Sequence, residues 1–243
     1  MRIQEFLLAL SFFTRLPIYR IFWRDFSGMA LAQAAWAFPL VGMLVNAVMA
    51  GVYMVMISTG MVHGIAAWIA LGAQLILTGG LHEDGLADTA DGLAQGRNRQ
   101  EKLAIMRDSR IGTFGVLALM VILTIRTKCM AQFGNDIFWV LIATGACSRA
   151  AIAVMMYQLP NAREDGLSAS AGKPNGNQLV IALLIGLFTL LLTGHAFMGV
   201  ILLAITLAVV QQIARSQFGG ITGDVLGAVQ QLSETVLWVL LAR

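Results

Sequence analysis

The sequence predicts an all-α polytopic integral membrane protein, one bundle of about six to seven transmembrane helices over residues 1–243. Three observations carry that expectation. Hydrophobic residues make up 58% of the 243 residues and charged residues 12%, about half the roughly 25% charged share of a soluble domain. The mean hydropathy is +0.78. The few charges are also bunched: 57 residues between Asp25 and Glu83, and 41 between Lys173 and Arg215, hold no Asp, Glu, Lys or Arg. A soluble domain of this composition lacks the polar surface to cover itself. Two cysteines exclude a disulfide scaffold, and a net charge of +3 excludes a disordered tail or a nucleic-acid arm. The expected surroundings are a lipid bilayer, with no nucleic-acid partner.

The elements follow in order. Residues 1–24 set four arginines among Phe6, Leu7, Leu8, Phe12 and Phe13. This stretch is expected as an amphipathic helix lying on the membrane, and it lacks the small-residue cleavage site of a removed signal. A spanning helix needs about 20 apolar residues, so each uncharged stretch holds two, joined by turns near Ser58 and Gly194. Spans are expected near 31–56, 62–80, 113–133, 137–158, 178–194 and 197–214. A seventh, near 225–241, is weakened by Gln230, Gln231 and Glu234. Basic residues cluster in 1–24, in 83–110 and at Arg163 and Lys173, always an even number of spans apart, which puts all three on the cytoplasmic side. Arg126 and Lys128 run against this pattern. Cys129 and Cys147 read as small buried apolar groups. His63, His82 and His195 have no metal-ligand spacing, although His82 adjoins the acids described next.

The 28 residues from Glu83 to Arg110 hold 11 of the chain's 29 charges, within a charged catalytic segment placed at 79–115. On a helix, Asp84, Asp88 and Asp91 fall within roughly 60° of one another. Carboxylates so close repel unless a cation lies between them, and oxygen-only ligands suit a hard ion such as Mg²⁺ or Mn²⁺. Glu83 lies off that stripe and could close the site from the helix start. Arg97, Arg99, Lys102, Arg107 and Arg110 follow, with Asp108 and the glycines Gly96, Gly112 and Gly115 among them. Acids that hold a metal beside cations that clamp phosphate suit a phosphate-ester site. Solvated acids and positive-inside topology are the plainer alternatives. Further on, the loop from Gln158 to Gly176 could supply Arg163 and Lys173 as a substrate lid. The run Gly219-Gly220-Ile221-Thr222-Gly223-Asp224 lets backbone approach a ligand closely.

Several separated blocks resemble the cobalamin synthase family, the adenosylcobinamide-GDP ribazoletransferases. They are Phe38-Pro39-Leu40-Val41-Gly42, the acidic run from His82 to Gly92, the run from Lys102 to Gly115, Arg163 to Leu167, and Gly219 to Asp224. The resemblance implies a Mg²⁺-dependent enzyme of the bacterial cytoplasmic (inner) membrane, its catalytic segment facing the cytoplasm. It would join adenosylcobinamide-GDP to α-ribazole or its 5′-phosphate, giving adenosylcobalamin or its 5′-phosphate and GMP. Glu83, Asp84, Asp88 and Asp91 would hold the metal, and Asp91 or Asp88 would be the base. Arg97, Lys102, Arg107, Asp108, Arg110, Arg163 and Asp224 would bind substrate. A looser similarity reaches the CDP-alcohol phosphotransferases. A Mg²⁺-dependent prenyltransferase is the nearest rival enzyme, and a cation-coupled transporter is the rival outside catalysis.

Overall fold

The computed structural model describes residues 3–22, 26 and 28–242. Arg2 and Arg24, two of the four arginines of the first stretch, and Asp25 lie outside the described residues. Among the described residues twelve α-helices follow one another: α1 (Ile3–Phe13), α2 (Ile18–Phe22), α3 (Phe38–Ser58, entered through a 3-10 turn at Leu31–Ala37), α4 (His63–Thr78), α5 (Leu81–Gln95), α6 (Arg99–Ile105), α7 (Thr113–Met130), α8 (Ile137–Gln158), α9 (Leu167–Ala171), α10 (Gly176–Leu191), α11 (Ala196–Ile213) and α12 (Gly223–Leu241). The described residues form no named strand, only one parallel bridge between Asn161 and Ile221.

The all-α class holds, but the span count is lower than expected. Among the described residues four helical stretches are long and apolar enough to cross a membrane: Leu31–Ser58, Thr113–Met130, Gly134–Gln158 and Ala196–Phe218. A fifth arises only if α4 and α5, bent by 91°, count together. Each of the other expected spans is a helix, yet α4 and α10 have 16 residues apiece. At 1.5 Å per residue that is about 24 Å, short of a hydrocarbon layer of about 30 Å. α12 has the length, at 19 residues, but its glutamines and glutamate lower its hydropathy. The N-terminal helix also departs from expectation. Rather than only lying on a surface, α1 buries Ala9, Leu10 and Phe13 in the main core.

The centre of the bundle is α8. Every residue from Val140 to Met156 is buried, as expected for a helix that is apolar all round. α3, α10 and α12 pack against it. Cys147 lies here, its thiol donating to the Gly186 carbonyl, so both cysteines are buried as expected.

Polar residues within the bundle find one another. Arg126 of α7 donates to Gln231 (2.9 Å), to Gln74 (3.0 Å) and to Glu234 (3.1 Å), with its guanidinium 4.5 Å from the centre of the Trp238 ring. Gln231 donates to Glu83 at 2.7 Å, and Asn46 donates to Glu234. Arg149 of α8 is buried nearby, in electrostatic reach of Glu83, Glu234 and Arg126. Two arginines thus balance two glutamates, and the network ties α3, α4, α5, α7, α8 and α12. It also explains Arg126: this cation is an interior pin, not a topology signal. Of the three residues that weakened the last span, Gln231 and Glu234 are its partners, and Gln230 donates to Glu234 at 2.8 Å.

The bend between α4 and α5 positions the site. Gly79 and Gly80 both sit in the left-handed region, at φ 70° and 67°. Two such residues in succession favour glycine strongly, because a Cβ there meets the neighbouring carbonyl. The Arg15 guanidinium packs where a Gly79 Cβ would be, and the Arg15 amide donates to the Leu77 carbonyl at 2.7 Å.

Candidate active site

The bend sends α5 against α12 at a crossing too close for side chains. A Cβ on Gly85 would lie 2.8 Å from the Asp224 carbonyl oxygen, and one on Gly227 would lie 3.0 Å from that of His82. Small residues allow such contact between helices. Its consequence is chemical: Asp84 and Asp88 of α5 face the first turn of α12, where Asp224 follows the helix-capping Thr222. Asp84, Asp224 and Asp91 are all electrostatic neighbours of Asp88.

Asp84 is exposed and borders three cavities. The first, about 110 Å³, runs inward between α1, α3, α5, α8 and α12. A second, about 640 Å³, includes Arg15, Gly79 and Gly80. The third, about 310 Å³, holds Asp88, Arg107, Asp108 and Ser109. Among the described residues, Asp84 alone lines all three.

Basic groups approach from two loops. Arg163 donates to the Leu103 carbonyl at 2.7 Å and neighbours Arg107, Asp224 and Asp165. Partial burial, with Arg107 close by, lowers its pKa from the ordinary guanidinium value. Arg107 pairs with Asp165 at 2.5 Å. The Asn161–Ile221 bridge fixes this loop, since Ile221 donates to the Pro160 carbonyl (2.9 Å) and Ala162 to that of Ile221 (2.8 Å). The stretch expected as a lid is therefore clasped to the turn that leads to Asp224.

Other expected site residues are engaged elsewhere. Glu83 is buried against Gln231 and Arg126 and lines none of the three cavities. Asp91 accepts from the amides of Gly112 (2.7 Å) and Gly115 (2.9 Å) and from Gln95 (2.7 Å). It caps the start of α7, whose own N-cap, Gly112, has no side chain to do so. The geometry thus gives the expected base a structural task. Arg97 is exposed, its amide donating to Glu101. Lys102 donates to Gln217, and Lys173 lies over the Tyr157 ring at 5.7 Å. Arg110 clasps Asp108 on the surface, and hydrogen bonds from its side chain and backbone hold the Asp108 carboxyl down to about 2. Among the described residues, no three His, Cys, Asp or Glu side chains converge closely enough to hold a metal ion.

Residues 5–242 match the family model described as Cobalamin-5-phosphate synthase. The chain belongs to this family. Similar curated proteins are named adenosylcobinamide-GDP ribazoletransferase. That of Bradyrhizobium diazoefficiens is 42% identical, covering 99% of this chain and 94% of the relative. That of Mesorhizobium japonicum is also 42% identical, over 96% and 90%. The protein of Rhizobium meliloti is 37% identical, over 96% and 94%. No solved structure matches this chain.

Sequence reasoning missed the aromatic residues at the first cavity and the place of Arg15. Arg15, one of the four arginines of the stretch expected to lie on the membrane, packs at the bend and lines the large cavity. A signal was present: Phe12, Phe13 and Arg15 stand together at the end of a helix apolar on both faces.

Proposed function

We propose that this chain joins a ribazole, or its 5′-phosphate, to adenosylcobinamide-GDP, giving adenosylcobalamin or its 5′-phosphate and releasing GMP. Membership of the family makes it an enzyme, a transferase. The observation that carries the rest is the place of Asp84, at the meeting of three cavities: Asp224 shares the first with it, Asp88 and Arg107 share the third, and Arg163 is an electrostatic neighbour of Asp224. Two substrates and a leaving group need such a junction. We place it on the cytoplasmic side of a bacterial inner membrane, where both substrates are soluble.

Mg²⁺ fits the donor set. Asp84, Asp88 and Asp224 are oxygen ligands, mutually repelling, and Mg²⁺ in phosphoryl-transfer sites is usually held by one or two carboxylates plus substrate phosphates. A closed cage of protein ligands is not required. When bound, the ion would neutralise charge on the pyrophosphate and on departing GMP.

The chain's own residues do the remaining work. The ribazole 3′-hydroxyl attacks the phosphorus next to cobinamide, and the bond to the GMP oxygen breaks. Asp88 takes the hydroxyl proton, since Asp91 is engaged as a cap; a positioned base is worth about 10²–10⁴-fold. Arg163 and Arg107 orient the phosphates with hydrogen bonds that strengthen as charge develops. The clasped loops hold these groups in register, which is the main protein contribution where covalent chemistry is slight. The test is turnover by purified protein in detergent with Mg²⁺, adenosylcobinamide-GDP and α-ribazole phosphate. GMP release that stops in Asp84→Ala is expected; no release from the unaltered protein would reject the proposal.

A further inference from the structure

We propose that the 110 Å³ cavity beside Asp84 is the seat of the nucleoside's base, built for a flat bicyclic heteroarene with one free ring nitrogen. This rests on the ribazole-transfer reading, since a ribazole carries a benzimidazole as its base.

Size comes first. A cavity of about 150 Å³ lined by apolar side chains takes benzene. At about 110 Å³ this cavity encloses less than that, so a flat bicycle fits with one ring inside and the other in the open edge. A corrinoid macrocycle is far too large for it.

Lining comes next. Phe12, Phe13, Phe38, Ile152 and Met156 form apolar walls. The rings are already arranged for stacking: Phe13 meets Phe38 edge to face at 4.9 Å, and His82 stacks on Phe13 at 5.5 Å with an interplanar angle of 29°. Flat aromatic guests gain from both geometries. Guanine, the other base in the reaction, carries polar atoms round both rings, whereas the polar lining is confined to His82, Ser168 and the two carboxylates Asp84 and Asp224. Polar atoms left facing the apolar walls would go unmet, which disfavours guanine.

Polarity is sparse and placed to match. His82 is buried, and its Nε2 has no hydrogen-bond partner. A benzimidazole nucleoside has one free ring nitrogen, which needs one polar neighbour. At the cavity edge stand Asp84 and Asp224, where the attached ribose would emerge. A base seated inside thus delivers its sugar hydroxyls to the carboxylates, and the same contacts that select the nucleoside orient its nucleophile.

The test uses the full-length protein in detergent and free benzimidazole as probe. A fragment of this size binds in the micromolar to millimolar range, so about 10 mM suffices. Benzimidazole is expected to inhibit GMP release competitively against α-ribazole phosphate and not against adenosylcobinamide-GDP. Guanosine is expected not to compete with the nucleoside. Filling the cavity with Ala171→Phe should raise KM for α-ribazole phosphate about tenfold, while KM for the GDP substrate stays within about twofold. Should that variant fail to fold, competition on the unaltered protein decides alone. Absence of benzimidazole competition, or competition against the GDP substrate instead, overturns the base seat while leaving the transferase intact. If the unaltered protein releases no GMP at all, the transfer reading fails. Equilibrium dialysis of labelled benzimidazole, with loss of binding in Ala171→Phe, then still tests the cavity.

Discussion

Glu83 and Asp84 are adjacent in α5, yet they belong to opposite environments. Glu83 is buried, paired with Arg126 and Gln231 in a network of two arginines and two glutamates. Asp84 is exposed at the junction of three cavities, with Asp88 and Asp224 near it and the loop arginines Arg15, Arg107 and Arg163 around them. One residue of helix turns a side chain by about 100°, and that rotation separates a neutral, closed charge set from an open one. The closed set holds helices together. The open set has unmet electrostatic demand, which a cation and phosphates can satisfy.

Substitutions should separate the two sets, and the largest effect belongs to the open one. Asp84→Asn should lower kcat/KM by at least about 1,000-fold, or about 4 kcal/mol of transition-state stabilisation. Its thermal midpoint in detergent should hardly move. Arg126→Met comes next: stranding Glu83 and Glu234 should cost about 3–5 kcal/mol of stability, read as a lowered midpoint. Adding Glu234→Gln should restore part of it, and the folded fraction should keep most of its turnover. Should Arg126→Met instead abolish turnover at unchanged stability, the two sets are one site and the comparison breaks.

Asp91→Asn sharpens the contrast within α5 itself. Loss of charge-assisted bonds to the α7 amides should cost about 2 kcal/mol of stability, and kcat should fall far less than for Asp88→Asn. A kcat loss as large as that of Asp88→Asn would return Asp91 to the role of base. The smallest effect is at Asp108. Its folded pKa of about 2 lies below the ordinary value of about 3.9. Its stabilising contribution is therefore complete above about pH 4 and is lost as pH falls through about 2. Profiles of kcat/KM against pH for Asp108→Asn and the unaltered protein should therefore have the same shape above about pH 5.

Much of this was legible in the sequence, for physical reasons. The uncharged stretches marked helices whose bounds the structure reproduces within a few residues, because lipid-length apolar runs have few alternatives. The acidic stripe was legible because helical periodicity is local, whereas the 91° bend at Gly79-Gly80 was not read from the sequence. The diversion of Glu83 was not, because its partners Arg126 and Gln231 are brought to it only by packing of α7 and α12. The same holds for Asp91: Gly112 and Gly115 read as room for phosphate, whereas their amides hold a carboxylate. The span count exceeded what length and hydropathy support, because buried glutamines in α12 and the 16-residue helices α4 and α10 break the rule of one apolar run per crossing.

The contact of α12 with α5 also bears on how the protein is made. A chain leaves the ribosome from its N-terminus, so Glu83, Arg126 and Arg149 are all synthesised before Gln231 and Glu234. Until the last helix arrives, two cations face one carboxylate in the membrane interior, and Asp84 has no Asp224 across from it. The 19-residue helix α12 both balances the interior charges and brings Asp224 to the cavity junction at Asp84. A nascent chain that stops short of it leaves Arg126 and Arg149 facing Glu83 alone.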